Sequence, residues 1–168
     1  MKAIVYVSET GHAKKYAEML GEKTGLPVYQ LEEALKTLEK NAEVVYIGWV
    51  FGGQVYKYKK AAKAFNIKVL CAVGSAPAAS NSYSGDLGKT AAKAGAKFFY
   101  LRGGLDLEKL TGYKKAIMKM VAKSVVKALS KKQDQTPEDK ETIDSFTNGI
   151  DYVSVENLAP VIEFLSAK

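Results

Sequence analysis

Four short, continuous apolar runs constrain this chain more than any other feature: Ile4-Val5-Tyr6-Val7, Val44-Val45-Tyr46-Ile47, Val69-Leu70-Cys71-Ala72-Val73 and Phe98-Phe99-Tyr100-Leu101. They are rich in β-branched and aromatic residues and do not alternate with polar ones. Such runs predict strands buried on both faces, as in a parallel sheet covered by helices. The weaker run Val28-Tyr29-Gln30-Leu31, following Gly25 and Pro27, predicts an edge strand. Helical patterns lie between the runs. Ala13, Ala17 and Leu20 share one face of a helix over about 12–23, and Gly25 is placed to end it. Leu31, Ala34, Leu35 and Leu38 recur at i, i+3, i+4, i+7 and predict a second, short helix. Further helices are expected near 56–65 and 86–94. The strict alternation of strand and helix predicts an open, doubly wound α/β sheet of five parallel strands, with helices on both faces. A chain of 168 residues, 47% apolar and 26% charged, suits one folded domain spanning 1–168.

After Leu101 the alternation stops. A helix over about 111–130 is expected to bury Ile117, Val121, Val125, Ala128 and Leu129, with Lys115, Lys119, Lys123 and Lys127 across its other side. The formal net charge is +7, and seven lysines with no acid lie between Thr111 and Lys132, so the rest of the chain is formally neutral. The basic character is local. A polar stretch runs from Ser130 to Gly149. Within it Thr136-Pro137-Glu138-Asp139 reads as a helix start, with Thr as N-cap and Pro at the first position. The segment 111–149 therefore reads as a helical insertion and polar connection. A last amphipathic helix uses Val155, Leu158, Ile162 and Leu165, and Pro160 makes it start near Asn157 or bend.

In an open α/β sheet, ligands bind beyond the C-terminal ends of the strands. Three loops lie there. Ser8-Glu9-Thr10-Gly11-His12-Ala13 offers two hydroxyls, a glycine and the start of a helix, whose free N–H groups and positive dipole end suit a phosphate. An ordinary capped strand-to-helix turn would read the same way. Trp49-Val50-Phe51-Gly52-Gly53, expected as a loop after the third strand, carries two aromatics able to stack on a planar ring. Its glycines permit close backbone approach and unusual φ; the other reading continues the strand through Trp49 into the core. Gly74-Ser75-Ala76-Pro77, reaching Tyr83, offers small residues and backbone donors beside a ring edge.

Taken together, these loops resemble those of the flavodoxin family, in the flavodoxin-domain branch that includes menaquinone-dependent protoporphyrinogen dehydrogenase. The family's phosphate loop, Ser/Thr-x-Thr-Gly-x-Thr, is matched by Ser8, Thr10 and Gly11, and Ala13 stands where it has a hydroxyl. The resemblance extends over nearly the whole chain, including Arg102-Gly103-Gly104 and the long basic segment. It implies strand order 2-1-3-4-5, an extra basic helix before the C-terminal one, and FMN as cofactor. The phosphate would sit on Ser8, Glu9, Thr10, Gly11, His12 and Ala13. The ring would sit against Trp49 or Phe51, with Val50, Gly52 and Gly53 beside it and Gly74, Ser75, Ala76, Pro77 and Tyr83 at its edge. It also implies an oxidoreductase or electron carrier working with a redox partner protein, a quinone or another small-molecule acceptor. Simple electron transfer needs no side-chain acid or base, so no catalytic residue is named. A quinone-linked dehydrogenase acting on a porphyrin-type substrate is one alternative, and a flavin-free interaction module is another.

Other readings lose their support. A receiver domain needs an acidic pair after strand one and an aspartate ending strand three, whereas Gly48-Trp49 stands there. Neither a Gly-x-Gly-x-x-Gly nor a P-loop motif follows a strand. One Cys and one His cannot build a usual zinc site, and no metal is expected. His12 reads as an exposed loop residue, with or without a neighbouring phosphate, and Cys71 as a buried, inert thiol. A single Cys, and an N-terminus that runs into a strand without signal-peptide architecture, lead us to expect a cytoplasmic protein. The basic helix 111–132 suits peripheral contact with an anionic membrane or an acidic partner, the alternative being a core-packed helix with a solvated lysine face. Nucleic-acid binding is not expected, since arginine and aromatics do not interleave the lysines.

Overall fold

The computed structural model describes residues 1–76 and 84–167. Among them, β1 (Ala3–Val7), α1 (His12–Thr24), β2 (Val28–Gln30), α2 (Leu31–Thr37), β3 (Glu43–Phe51), β4 (Gln54–Val55), α3 (Tyr58–Ala64), β5 (Asn66–Gly74), α4 (Ser84–Lys93) and β6 (Lys97–Arg102) follow one another. Then come β7 (Gly104–Leu105), α5 (Gly112–Ser130), α6 (Pro137–Asn148), β8 (Ile150–Asp151), a 3-10 turn (Glu156–Leu158) and α7 (Ala159–Ser166). Two compact units result: Met1–Gly103 with Tyr152–Lys168, and Gly104–Asp151. The insertion expected at 111–149 lies inside the second.

The first unit is α/β with a mostly parallel sheet in the order β2-β1-β3-β5-β6, which fits a flavodoxin-like fold. Five strands were expected. The sixth, β4, is a two-residue antiparallel addition to the end of β3. Consecutive residues of the long strands enter two separate clusters, as the pleat requires. Val5, Val7, Val44 and Tyr46 join Leu31, Ala34, Ala61, Leu87 and Ala91 of α2, α3 and α4. Ile4, Val45, Ile47 and Val69 join Tyr16, Ala17 and Leu20 of α1 and Leu158 and Val161 near the C-terminus. The continuous apolar runs of β1, β3 and β5 are thus explained, because successive residues are buried in one cluster or the other, whereas Phe98, Phe99 and Tyr100 of β6 are only half-buried. Cys71 sits fully inside, and burial pushes its thiol pKa up.

Local signals set the helix ends. Gly25 closes α1 with φ 70°, donating its N–H to the Gly21 carbonyl at 2.8 Å. Pro160 stands in the first turn of α7, where its missing N–H costs nothing, and the 3-10 turn absorbs the change of direction. Val155 is exposed rather than part of the expected apolar stripe, because α7 proper begins only at Ala159.

A partly buried polar knot holds the returning chain in this unit. The Tyr16 hydroxyl donates to the Arg102 carbonyl. Asn157 donates from Nδ2 to the Tyr16 hydroxyl at 2.7 Å and to the Tyr152 carbonyl at 2.8 Å. The Tyr152 N–H in turn reaches the Gly103 carbonyl at 2.9 Å. These bonds join the two ends of the segment from which the insertion departs.

In the second unit, β7 and β8 pair antiparallel, Gly104 opposite Asp151 and Leu105 opposite Ile150. Gly149 has φ 76°, and a Cβ there would lie 2.9 Å from the Leu105 carbonyl oxygen. Thr136 and Asp139 form the capping box expected at the start of α6, each side chain accepting from the other's backbone N–H. The burial expected along α5 forms only in part: Val125 and Leu129 are half-buried, and Ala128 is exposed. Ile117 and Val121 are exposed, while Lys114 and Ala122 are the buried positions. The buried side of α5 is rotated toward Met118, Ala122, Val125 and Leu129, and α5 packs against α6.

Asn157→Ala removes the donor bonds to the Tyr16 hydroxyl and the Tyr152 carbonyl at once, and we expect a loss of about 2 kcal/mol in stability, measured by urea unfolding. Cys71 should react with a disulfide reagent only once the chain is unfolded, which a timed thiol titration with and without denaturant will show.

Candidate functional site

Register brings three of the strand ends together. Val7 of β1 lies opposite Gly48 of β3, and Gly48 lies opposite Ala72 of β5. Ser8, Trp49 and Gly74 therefore emerge at one edge of the sheet. β1 is bonded to β2 on one side and β3 on the other, so the chain reverses its direction of growth here.

The segment after β1 is a tight turn into α1. The Ser8 hydroxyl oxygen accepts from the Gly11 N–H at 3.1 Å, which leaves its own proton to donate outward. Gly11 caps the helix with φ 97°, a left-handed value that disfavours any side chain, and no side chain caps α1. The first turn of α1 carries no acid. Thr10 Oγ1 and His12 Nδ1 share a hydrogen bond of 2.8 Å, whose direction depends on the tautomer. His12 is buried, against expectation. It is the first residue of α1, and a Cβ added at Gly103 would stand 3.5 Å from the His12 Cβ, so the chain just past β6 lies beside it. Ala13 points into the cluster beneath α1. It offers the site its N–H and no side chain. Glu9 is half-buried in the same turn.

Trp49, Val50 and Phe51 are strand, not loop. β3 runs on to Phe51, turns through Gly52 and Gly53, and returns as β4, with Phe51 opposite Gln54 and Val50 opposite Val55. Both turn glycines have positive φ, 58° and 75°, as a two-residue turn with the twist of its strands demands. Gly48 makes the return feasible. A Cβ there would lie 2.6 Å from Val55 Cγ1. The Trp49 ring packs 5.0 Å from Phe51 and 5.2 Å from Tyr56, both tilted. The Tyr56 N–H reaches the Trp49 carbonyl at 2.8 Å, and the Tyr46 hydroxyl donates to the Tyr56 carbonyl at 2.7 Å. Burial, then the charges of Glu32 and Tyr56, raise the Tyr46 pKa and keep it a neutral donor. A cavity of about 560 Å³ opens beside the hairpin, lined in part by Gly52, Gly53, Lys57, Tyr58, Leu87 and Thr90.

At the third strand end, Gly74 has no room for a side chain, since a Cβ would come within 2.5 Å of the Tyr100 hydroxyl. That hydroxyl donates to the Ala76 carbonyl at 2.8 Å, and the Gly74 carbonyl accepts from the Gly103 N–H at 2.7 Å. Ser75 is half-buried and Ala76 exposed. Pro77 and Tyr83 lie outside the described residues. The sequence reasoning missed Tyr56 and Tyr100. The Gly52-Gly53 pair between apolar residues was the signal for the hairpin that brings Tyr56 in. The sequence matches no protein-family model and no curated protein.

The hairpin is tied at its base by an ion cluster. Glu32 of α2 accepts from Lys57 at 2.8 Å and Lys60 at 2.6 Å. The Lys57 bond first, then the Lys60 bond, lowers the Glu32 carboxyl from 4.5 to about 2. A carboxylate depressed in the folded state stabilises above its ordinary value, and that contribution fades as pH falls between 4.5 and about 2. Glu32→Gln should therefore flatten the acid limb of stability in this window and leave its shape above pH 6 unchanged, as denaturation midpoints across pH will show.

Proposed function

We propose that this chain is a flavodoxin-like protein that binds FMN and transfers electrons, as a carrier or an oxidoreductase. The observation that carries this reading is the N-terminus of α1, which no side chain caps, framed by two hydroxyls and set one strand away from an aromatic hairpin. Doubly wound topology with helices on both faces is part of the same proposal, and the β2-β1-β3-β5-β6 order and the two buried clusters support it.

The donor set fits a phosphate dianion. Backbone N–H groups of the first turn of α1 and the Ser8 and Thr10 hydroxyls supply neutral donors, with the helix dipole adding positive potential. The one acid nearby, Glu9, precedes the helix. Trp49 or Phe51 at the edge of the hairpin would take the face of the ring, and the Gly52-Gly53 peptide its redox-active edge. Bound FMN would supply a centre that accepts one or two electrons. The residues present would bind and orient it and shield one face from water; none needs to move a proton. Its acceptor would be a protein partner, a quinone or another small molecule. A quinone-linked dehydrogenase of porphyrin-type substrates falls within this proposal.

Adding FMN to purified protein should quench flavin fluorescence with saturation, and protein that stays colourless and flavin-free overturns the proposal in favour of an interaction module. Thr10→Val should weaken FMN about 5- to 10-fold, the worth of one hydrogen bond of about 1–1.5 kcal/mol, with the circular dichroism unchanged. Oxidation of protoporphyrinogen with a quinone acceptor then separates an enzyme from a carrier.

A further inference from the structure

The second unit presents an amphipathic surface for which the flavin reading has no use. Among the described residues, five large apolar side chains are exposed, and four of them lie on α5: Tyr113, Ile117, Met120 and Val121. Tyr113 is 64% and Met120 68% exposed, with Ile117 at 40% and Val121 at 38%. Their spacing, at i, i+4, i+7 and i+8, puts them on one stripe of the helix. The stripe faces away from the Ala122 side that α5 buries. These residues are not scattered singly, so ordinary surface statistics do not account for them.

Lysines continue this face. Lys123, Lys127 and Lys131 follow at four-residue intervals along the C-terminal half of α5 and just beyond it. Other lysines of the segment are engaged: Lys115 and Lys119 pair with Glu108 at 3.0 and 3.1 Å, and Lys132 pairs with Asp139 at 2.9 Å. Lys123, Lys127 and Lys131 make no ion pair among the described residues. Their charge is uncompensated, and the helix itself carries no acid.

We propose that this face of α5 docks on an anionic lipid surface, with Tyr113, Ile117, Met120 and Val121 entering the headgroup boundary and Lys123, Lys127 and Lys131 on the lipid charges. Charge complementarity selects this occupant. Lipid headgroups provide a continuous negative plane, and lysine stems keep the ammonium groups at the polar level while apolar neighbours sink below it. A second copy of the chain would bring unpaired lysines against each other across a two-fold contact. Nucleic acid would leave the four apolar side chains without a role. No helix among the described residues is long and apolar enough to cross a membrane, so the contact is peripheral.

Flotation of the full chain with phosphatidylcholine vesicles, with and without phosphatidylglycerol, tests the proposal. Binding should require the anionic lipid and fall with added salt. Each lysine near such a surface is worth about fivefold in affinity, so reversing Lys123, Lys127 and Lys131 to Glu together should reduce binding at least about 100-fold. Ile117→Ser with Met120→Ser should reduce it about 10-fold or more, given the exposed positions and the apolar area lost. All the substituted positions are exposed, and unchanged circular dichroism and FMN titration will separate lost docking from lost folding. The proposal is overturned by absence of binding at low salt, by equal binding to neutral vesicles, or by undiminished binding of either variant. It is also overturned by a concentration-dependent dimer that Met120→Ser dissociates.

Discussion

β3 is longer than its neighbour β1, and the backbone groups of that overhang must find partners. Val7 ends β1 opposite Gly48, whereas β3 continues through Trp49, Val50 and Phe51. β5 pairs with Trp49 through Val73, and beyond that point the strand satisfies itself by folding back as β4. An unmet peptide group costs on the order of a whole hydrogen bond, so the hairpin is close to obligatory once β3 has this length. The return is permitted by three glycines acting differently. Gly52 and Gly53 adopt positive φ, and Gly48 leaves the space that Val55 fills. The aromatic edge of the candidate site, its anchoring by Tyr46, and the cavity beside it all follow from that reversal.

The turn between β1 and α1 is organised from the opposite side of the sheet edge. Gly11 supplies the left-handed conformation that lets α1 start bare. Gly103 has no side chain because Val73 and His12 occupy that space; a Cβ there would lie 2.4 Å from Val73 Cγ1. His12 is packed and hydrogen-bonded to Thr10, so it steadies the turn instead of facing solvent. Gly103 is also the last residue before the chain departs into the second unit, and its carbonyl receives the N–H of Tyr152, where the chain returns. The Tyr16–Asn157 knot beside it explains how a 48-residue excursion, Gly104–Asp151, leaves the α/β unit's closing helix in register with α1.

Much of the fold was legible. The apolar runs announced buried parallel strands because successive residues of β1, β3 and β5 enter two buried clusters. Gly25, Thr136-Pro137 and Pro160 announced helix ends because capping is decided within a turn of backbone. The site was legible only in outline. Ser8, Thr10 and Gly11 form the turn between β1 and α1, but His12, expected to be exposed in that loop, is buried, with Gly103 from far along the chain beside it. The glycine neighbours of Trp49 and Phe51 read as a loop, with strand continuation through Trp49 as the other reading; the second is what forms, and pairing with β4 carries the strand on to Phe51. On α5 the error was one of rotation. Aliphatics spread over more than half the helix, so periodicity could not choose which of them α6 would cover, and Ile117 and Val121 lost.

The sequence by itself determined what depends on near neighbours: the strand and helix segments, their caps, the glycine-rich turns and the concentration of positive charge at 111–132. Only the tertiary structure decided which strand ends meet, that β3 doubles back, that His12 and Ala13 turn inward, and which side of α5 faces water. The physical reason is range. Dihedral preference and capping act within a few residues, whereas side-chain burial is settled by whichever distant element fills the space, and no local pattern names that element in advance.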